Sequence, residues 1–139
     1  MTNVRALQLE GMGPPVGLYS HAVAGGPGGT LLAVAGQLAV APEGGEVAPT
    51  VEEQLRQVMA SLAEILRQAG GSLEHVLNFR TYLIDPDDIS RFYAERERLW
   101  QTYFPGGVYP ANTLLVVQRL VRPEYRIEIE ALALLPDAS

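Results

Sequence analysis

Two glutamates in the strongest β pattern of the sequence are the side chains best suited to acid and base chemistry. Residues 125–135 alternate between apolar and mostly charged side chains, which puts Glu128 and Glu130 on one face of a predicted strand and the apolar residues on the other. A strand this rich in β-branched residues is typical of the middle of a sheet. A carboxylate there needs a charged partner, an opening to solvent or a role in proton transfer.

The residue types that the sequence lacks exclude several other kinds of chemistry. There is no Cys and all ten basic residues are Arg. Disulfides, thiolate nucleophiles, thiolate metal sites, Schiff-base lysines and lysine-containing phosphate loops are therefore excluded. The two histidines, His21 and His75, lie far apart in the sequence and in different predicted elements. We therefore expect function to need neither a metal nor an organic cofactor.

Charge and hydropathy indicate where the protein acts and on what. The formal net charge is −6, which is the wrong sign for a protein that gains affinity by neutralising phosphates, so we expect no nucleic-acid partner. The sequence has no pattern typical of a signal peptide and no apolar stretch near the roughly 18 residues of a membrane span. We therefore expect a cytoplasmic protein without a membrane partner.

The elements that must position the glutamates fit a single α+β domain over residues 1–139. The first helix has a capping box, Thr50 with Glu53, and the second has a predicted cap at Asp85 with Pro86 in its first turn. We predict strands at 4–9, near 16–23, and at 30–40, 76–84, 112–121 and 125–135, and helices at 51–69 and from Asp85 to the residues before Pro105. The charged run at 95–98 is interpreted as a solvated helix face.

The apolar pattern of two strands predicts that the chain associates with copies of itself. Residues 30–40 and 112–121 are apolar on both faces, and Gly36 marks a bulge or a close backbone approach in the first of them. Two helices about 10 Å across cover only one face of a sheet of four or five strands. The second face must then be covered by another chain.

Six short segments, in this order, resemble one known family, the reactive-intermediate deaminases (Rid, YjgF-like), also described as endoribonuclease L-PSP. The segments are GLYSHAV at 17–23, VAGQL at 34–38, AGG at 69–71, NFRTYL at 78–83, YPA at 109–111 and IEIEA at 127–131. The resemblance implies a chorismate-mutase-like fold: a single mixed sheet with two helices on one face, assembled as a homotrimer with small-molecule clefts between subunits. It also implies hydrolysis of small 2-imino or 2-enamino acids to 2-oxo acids and ammonia, without a cofactor.

The resemblance assigns roles to several residues and shows that the cleft differs from the family pattern. The family's catalytic tyrosine and glutamate correspond to Tyr19 and Glu128. The arginine that binds the substrate carboxylate is replaced by Asn112. The positions expected to contact the ligand are Ala35, Gly36, Asn112 and Leu114, where Ala35 replaces a serine and Leu114 a cysteine.

Replacing the arginine by Asn112 changes the expected substrate. A charge-assisted bond from Arg to a carboxylate is worth about 1.5–3 kcal/mol, whereas Asn offers a neutral amide. The sequence therefore predicts poor hydrolysis of 2-iminopropionate and a better fit for a neutral or amide-bearing metabolite. On this hypothesis Asn112→Arg raises imine hydrolysis, and adding Glu128→Ala abolishes the gain.

Plainer interpretations of the same residues remain open. Tyr19 also fits an ordinary half-buried tyrosine, Asn112 a strand-end residue that bonds the backbone, and Glu128 a structural partner of Arg119 or Arg126. Three classes of function remain at this point: a hydrolase or deaminase with an altered substrate, a trimeric metabolite-binding protein without turnover, and, least favoured, a ribonuclease.

Overall fold

A four-stranded mixed sheet and two helices make up most of the molecule. The computed structural model describes residues 3–41 and 43–137. Its strands are β1 (Val4–Ala6), β2 (Val23–Gly25), β3 (Thr30–Gln37), β4 (Val76–Leu83), β5 (Ala111–Val116) and β6 (Ile127–Leu135). Its α-helices are α1 (Val51–Gln68) and α2 (Asp88–Tyr103), and Leu73–His75 forms a 3-10 turn before β4. This is the α+β architecture expected from the sequence.

The strand order places β6, with its glutamates, inside the sheet. The order is β3-β6-β4-β5, in which β6 is antiparallel to both neighbours and β5 is parallel to β4. Strand β1 is shorter than predicted, and the strand predicted near 16–23 is misplaced, because β2 begins only at Val23. These two strands pair with each other in a separate antiparallel ribbon. β6 is therefore an interior strand, as its β-branched composition indicates.

Helix α1 forms where the sequence predicts it and packs one apolar stripe into the core. The Thr50 side chain accepts a hydrogen bond from the Glu53 backbone N–H at 3.2 Å, which satisfies one of the free donors of the first turn. Gly70, with φ of 95°, lets the chain turn out of the helix. The residues fully buried on one stripe of α1 are Val51, Leu55, Val58, Met59, Leu62 and Leu66.

Helix α2 begins later than the sequence indicates. The predicted cap at Asp85 is wrong, because the helix starts at Asp88. Asp85 instead closes a turn before the helix: its Oδ1 accepts from the Asp87 N–H at 2.9 Å and its carbonyl accepts from the Asp88 N–H at 3.0 Å. Proline in that turn fits its fixed φ.

Strand β5 is shorter than predicted because its partner ends. The register pairs Val116 with Leu83, the last residue of β4, and the Val117 N–H donates to the Leu83 carbonyl at 2.7 Å. Beyond that point β4 turns into the segment that leads to α2, so residues 117–121 have no strand to pair with. Local apolar composition cannot extend a strand without a ladder partner.

Among the described residues, the two helices cover one face of the sheet and leave much of the other exposed. The face that includes Ile127 and Ile129 packs against the helices and is buried. On the other face Leu31 is 63% exposed and Leu115 is 50% exposed. The apolar outer side chains of β3 are as predicted, and their burial by a second copy of the chain stays a prediction. No helix within residues 3–41 and 43–137 is long and apolar enough to cross a membrane.

Candidate functional site

Gly36 and Glu128 are brought into direct contact by a bulge in β3. The register of β3 against β6 shifts between Val34 and Gln37, as the sequence predicts from Gly36. A Cβ atom at Gly36 would lie only 2.7 Å from the carboxyl carbon of Glu128 and would overlap the carboxylate itself. Glycine at this position therefore makes the space that the Glu128 side chain occupies.

Glu128 is a half-buried acid that forms no ion pair with the residues the structure describes. Burial raises the pKa of its carboxyl above the ordinary value of 4.5, and the charge of Glu130 raises it further. The two arginines suggested as structural partners bind elsewhere: Arg126 donates to Asp88 at 2.8 Å, and Arg119 donates to the backbone carbonyl of Leu120. The suggestion that either arginine holds Glu128 is wrong for the protomer.

A polar group lies beside Glu128 on the outer face of the sheet. The Tyr82 hydroxyl donates a hydrogen bond to Glu130, which is the first cause of a raised pKa at Tyr82. Glu130, Arg80 and Asn78 line a shallow depression of about 310 Å³ in this face. The alternation of residues 125–135 placed Glu130 on the same face as Glu128, but the sequence gave no sign that Tyr82 binds Glu130.

Tyr19 lies in a loop at the opposite edge of the sheet, next to β5. The loop is fixed at Ser20, whose N–H donates to the Pro110 carbonyl at 3.2 Å and whose hydroxyl donates to the Tyr109 carbonyl at 2.5 Å. Tyr19 is half-buried and its ring meets the His21 ring edge-on, with centroids 6.1 Å apart. His21 is exposed and bonds the Gly13 carbonyl.

A buried arginine under this loop was missed by the sequence analysis. Arg96 is 2% exposed, and its guanidinium carbon lies 5.1 Å from the centroid of the Phe92 ring and 4.7 Å from that of the Tyr93 ring. The interpretation of 95–98 as a solvated face is wrong at Arg96 and also at Glu95, which is 8% exposed. The signal was the spacing of four from Phe92 to Arg96 to Trp100, which places all three on the core stripe of α2.

Asn112 lies beside Arg96 on the helix-covered face. Its amide satisfies all its neighbours when the oxygen accepts from Arg96 Nη1 at 3.0 Å and the nitrogen donates to the Phe79 carbonyl at 3.1 Å and Thr81 Oγ1 at 3.0 Å. Arg96 Nε has no hydrogen-bond partner among the described residues. Burial lowers the pKa of Arg96, and the Tyr93 and Tyr19 phenols partly oppose this effect.

The predicted site residues therefore fall into two groups that one protomer does not bring together. We call Glu128, Gly36 and Ala35 the acidic edge, and Tyr19, Arg96 and Asn112 the basic edge. The pairings Tyr82 with Glu128 and Phe79 with Asn112 put Glu128 on the outer face and Asn112 on the helix face, because paired residues share a face. Strands β3 and β5 are three spacings apart, roughly 14 Å at about 4.8 Å each.

Leu114 lies outside both groups, and its position does not suit contact with a ligand. It pairs with Thr81 in the parallel register and packs against the hydrophobic core under the helices. Within residues 3–41 and 43–137 no cluster of three or more His, Asp or Glu side chains is arranged to hold a metal ion. The chemistry that the described side chains offer is a carboxyl with a raised pKa and a desolvated guanidinium.

Comparison with known proteins agrees with the fold and the motifs. Residues 12–135 match the family described as endoribonuclease L-PSP. A RutC family protein from Pyrococcus horikoshii is 36% identical over 120 residues, which cover 86% of this chain and 88% of the relative. The mouse protein named 2-iminobutanoate/2-iminopropanoate deaminase is 32% identical and covers 85% and 82% of the two chains.

A solved structure of the same kind matches almost the full length. It is a protein of unknown function from Yersinia pestis, assigned to the conserved Rid family, with a TM-score of 0.80 and 36% identity over 96% of this chain and 99% of the other. Three observations point to the same family. They are the match of 124 residues to the family, the relatives above 30% identity and the shared two-helix sheet. This chain belongs to the endoribonuclease L-PSP family, the Rid or YjgF proteins.

Proposed function

We propose that the protein hydrolyses small imines or enamines in clefts formed between the subunits of a homotrimer, without a cofactor. The observation that carries the proposal is the Glu128 carboxyl, which is half-buried, carries a raised pKa and pairs with no cation in the described part of the chain. A proton acceptor whose pKa is closer to neutrality is better suited to general acid and base work. The name of the mouse relative describes this reaction for that protein.

The separation of the two edges supports a site shared by two subunits. The acidic edge lies on the uncovered face, and the basic edge lies at the far strand under the helices. The exposed Leu31 and Leu115 give the uncovered face an apolar surface that a second copy would bury. In a cyclic trimer each chain would meet one neighbour through its acidic edge and the other through its basic edge.

Glu128 would move the protons of hydrolysis. It accepts a proton from water as the water oxygen bonds to the imine carbon, and it then donates that proton to the imine nitrogen. The resulting carbinolamine loses its hydroxyl proton to Glu128, and Glu128 donates that proton to the nitrogen. The C–N bond then breaks as the C=O bond forms, and ammonia leaves. The products are a 2-oxo acid and ammonia, and Glu128 returns to its initial state.

Glu128→Gln tests the proposal, since it keeps the shape of the side chain and removes the proton acceptor. We expect imine hydrolysis to fall about 10²–10⁴-fold, measured on 2-iminobutanoate generated in the assay by an amino-acid dehydratase or oxidase. Gly36→Ala should also lower turnover, because its Cβ displaces the carboxylate. Gly106→Ala is the matched control, since a Cβ there meets nothing within 4 Å. Undiminished turnover in Glu128→Gln would contradict the role of Glu128.

Binding of a metabolite without turnover is the second candidate. Asn112 favours it, because the residue that the family uses for the substrate carboxylate is neutral here. In that case ligand binding persists while the natural protein and Glu128→Gln show the same imine decay as buffer. The ribonuclease reading is the weakest, since the chain carries a net charge of −6.

A further inference from the structure

Arg96 differs from the other arginines of α2 in having no carboxylate partner. Arg98, which is exposed, pairs with the buried Glu95 at 2.6 Å, and Arg91 pairs with Glu52 at 2.8 Å. Arg96 is buried, and among residues 3–41 and 43–137 its polar contact is the Asn112 oxygen. The described groups that favour its charge are phenols and aromatic rings rather than acids.

A buried cation with only neutral partners is a costly feature in a folded chain. The Phe92 and Tyr93 rings and the Asn112 amide compensate part of the lost hydration, but Nε is left without a bond. A side chain that served packing alone would be satisfied better by an apolar residue of the same volume. A carboxylate beside the guanidinium would offset more of this cost than its neutral partners do.

We propose that Arg96 binds the carboxylate of a small 2-imino or 2-oxo acid, and that Asn112 orients the guanidinium for this purpose. The inference rests on the proposed function for the ligand class. It places the positive charge of the cleft on helix α2 instead of strand β5. It also replaces the expectation of a neutral ligand, because Asn112 is the partner of a cation and not an isolated amide.

The segment that covers Arg96 is a loop that lies directly on the guanidinium. A Cβ at Gly17 would lie 2.8 Å from Arg96 Nη2, so glycine allows this backbone to lie directly on the guanidinium. Residues 17–19 form bends, and the backbone bond within them joins the Tyr19 N–H to the Gly17 carbonyl. Val16 is 89% exposed, whereas Ser20 is tied to Pro110. On this proposal the ligand carboxylate reaches Nη2 when Gly17 moves away from the guanidinium.

The test compares a carboxylate with its neutral amide. Calorimetry with 2-oxobutanoate and 2-oxobutanamide is carried out on the natural protein, Arg96→Met, Arg96→Lys and the control Arg98→Gln. We expect the natural protein and Arg98→Gln to prefer the carboxylate by about tenfold to a hundredfold. Arg96→Met should lose the preference and still bind the amide, and Arg96→Lys should keep part of it.

Thermal unfolding separates a ligand-binding role from a structural one. If Arg96 serves the ligand, Arg96→Met keeps or raises the melting temperature of the ligand-free protein, since it removes an unpaired buried charge. A melting temperature several degrees lower, together with equal loss of both ligands, would overturn the inference. So would equal affinity of the natural protein for the two ligands, binding of neither, or a preference that survives Arg96→Met.

Turnover and selectivity fail independently. An Arg96-dependent preference in a protein that hydrolyses no imine supports the carboxylate site and refutes the hydrolase. Glu128-dependent hydrolysis with a preference unchanged in Arg96→Met supports the hydrolase and refutes the carboxylate site.

Discussion

The acidic edge and the basic edge of the sheet are built in opposite ways. Glu128 lies on an open face, keeps part of its hydration and has space made for it by Gly36. Arg96 lies under a loop, is nearly fully buried and is fixed by two rings and an amide. The cation is thus already desolvated and oriented in one protomer, whereas the acid is not.

For the proposed trimer, this difference predicts which part of the site depends on assembly. A desolvated guanidinium can recognise a carboxylate in the protomer, because its geometry does not depend on another chain. A half-exposed acid gains its catalytic strength only when a neighbouring surface excludes water around it. Recognition and chemistry should therefore respond differently to loss of the oligomer.

The largest expected effect on mass and turnover comes from placing a charge on the exposed apolar face of the sheet. Leu31→Asp puts a charge where Leu31 is 63% exposed, and Val121→Asp is a control at 67% exposure in a loop. We expect light scattering to show the natural protein and the control near three times the chain mass of 15.1 kDa, and Leu31→Asp near one chain. Imine hydrolysis should disappear with the assembly.

Two results would contradict this picture of a shared site. A natural protein with the mass of one chain at micromolar concentration would remove the oligomer. A monomeric Leu31→Asp protein with full turnover would show that one protomer holds the whole site.

A smaller effect is expected from adding the arginine that the sequence lacks. The sequence predicts that Asn112→Arg raises imine hydrolysis, but Arg96 Nη1 already lies 3.0 Å from the Asn112 oxygen. Two guanidinium groups about 4 Å apart repel by about 4 kcal/mol at an effective dielectric constant near 20. We therefore expect Asn112→Arg to lower the melting temperature. Its carboxylate affinity, measured by calorimetry, should fall by about tenfold or more.

The double variant turns this expectation into a sharper comparison. Asn112→Arg with Arg96→Met removes the repulsion and restores a single positive charge, so carboxylate preference should return. Asn112→Met controls for the size of the new side chain. A gain of hydrolysis in the single variant Asn112→Arg would instead place the carboxylate site on the strand, as the sequence alone suggests.

The sequence predicted most elements of the fold because their signals are local. The capping residues and apolar spacing predict where α1 begins. The alternation of side chains in β6 predicts which of its faces is buried. The end of β5 could not be read in this way, since it depends on where β4 stops in the parallel register. The start of α2 was also missed, because the Asp85 turn resembles a cap.

The candidate site was predicted only in part, for a physical reason. The alternation of side chains identified Glu128, and a glycine inside a strand pattern identified Gly36. The bulge in β3 brings the two residues together. Alternation assigns a residue to a face but does not say which strands lie between two residues, so the separation of Glu128 from Asn112 was not visible. Arg96 was hidden in a charged run, although its spacing from Phe92 and Trp100 was helical.

The smallest expected effect is a dependence of stability on pH that Glu128 alone causes. The pKa of Glu128 is raised above 4.5 in the folded chain, first by burial and then by Glu130, so the folded state binds its proton more tightly than the unfolded state. Stability then falls as pH rises from about 4.5 through the folded pKa of Glu128, and it levels off above it. Carboxyls with lowered pKa, such as Glu64 at about 2, act in the opposite direction, so their contribution is lost in acid.

Subtracting one protein from another isolates the effect of Glu128. The melting temperature of Glu128→Gln minus that of the natural protein should increase as pH rises from about 4.5 and then stay constant, since the other carboxyls titrate in both proteins. Glu130→Gln removes the second cause of the raised pKa of Glu128. It should shorten the pH range over which the difference increases but not abolish it, because burial is the larger cause. A difference that decreases with rising pH would mean that the pKa of Glu128 is lowered in the assembled protein. In that case a cation from a neighbouring subunit faces Glu128, and the acid would be a partner in an ion pair rather than the group that moves protons.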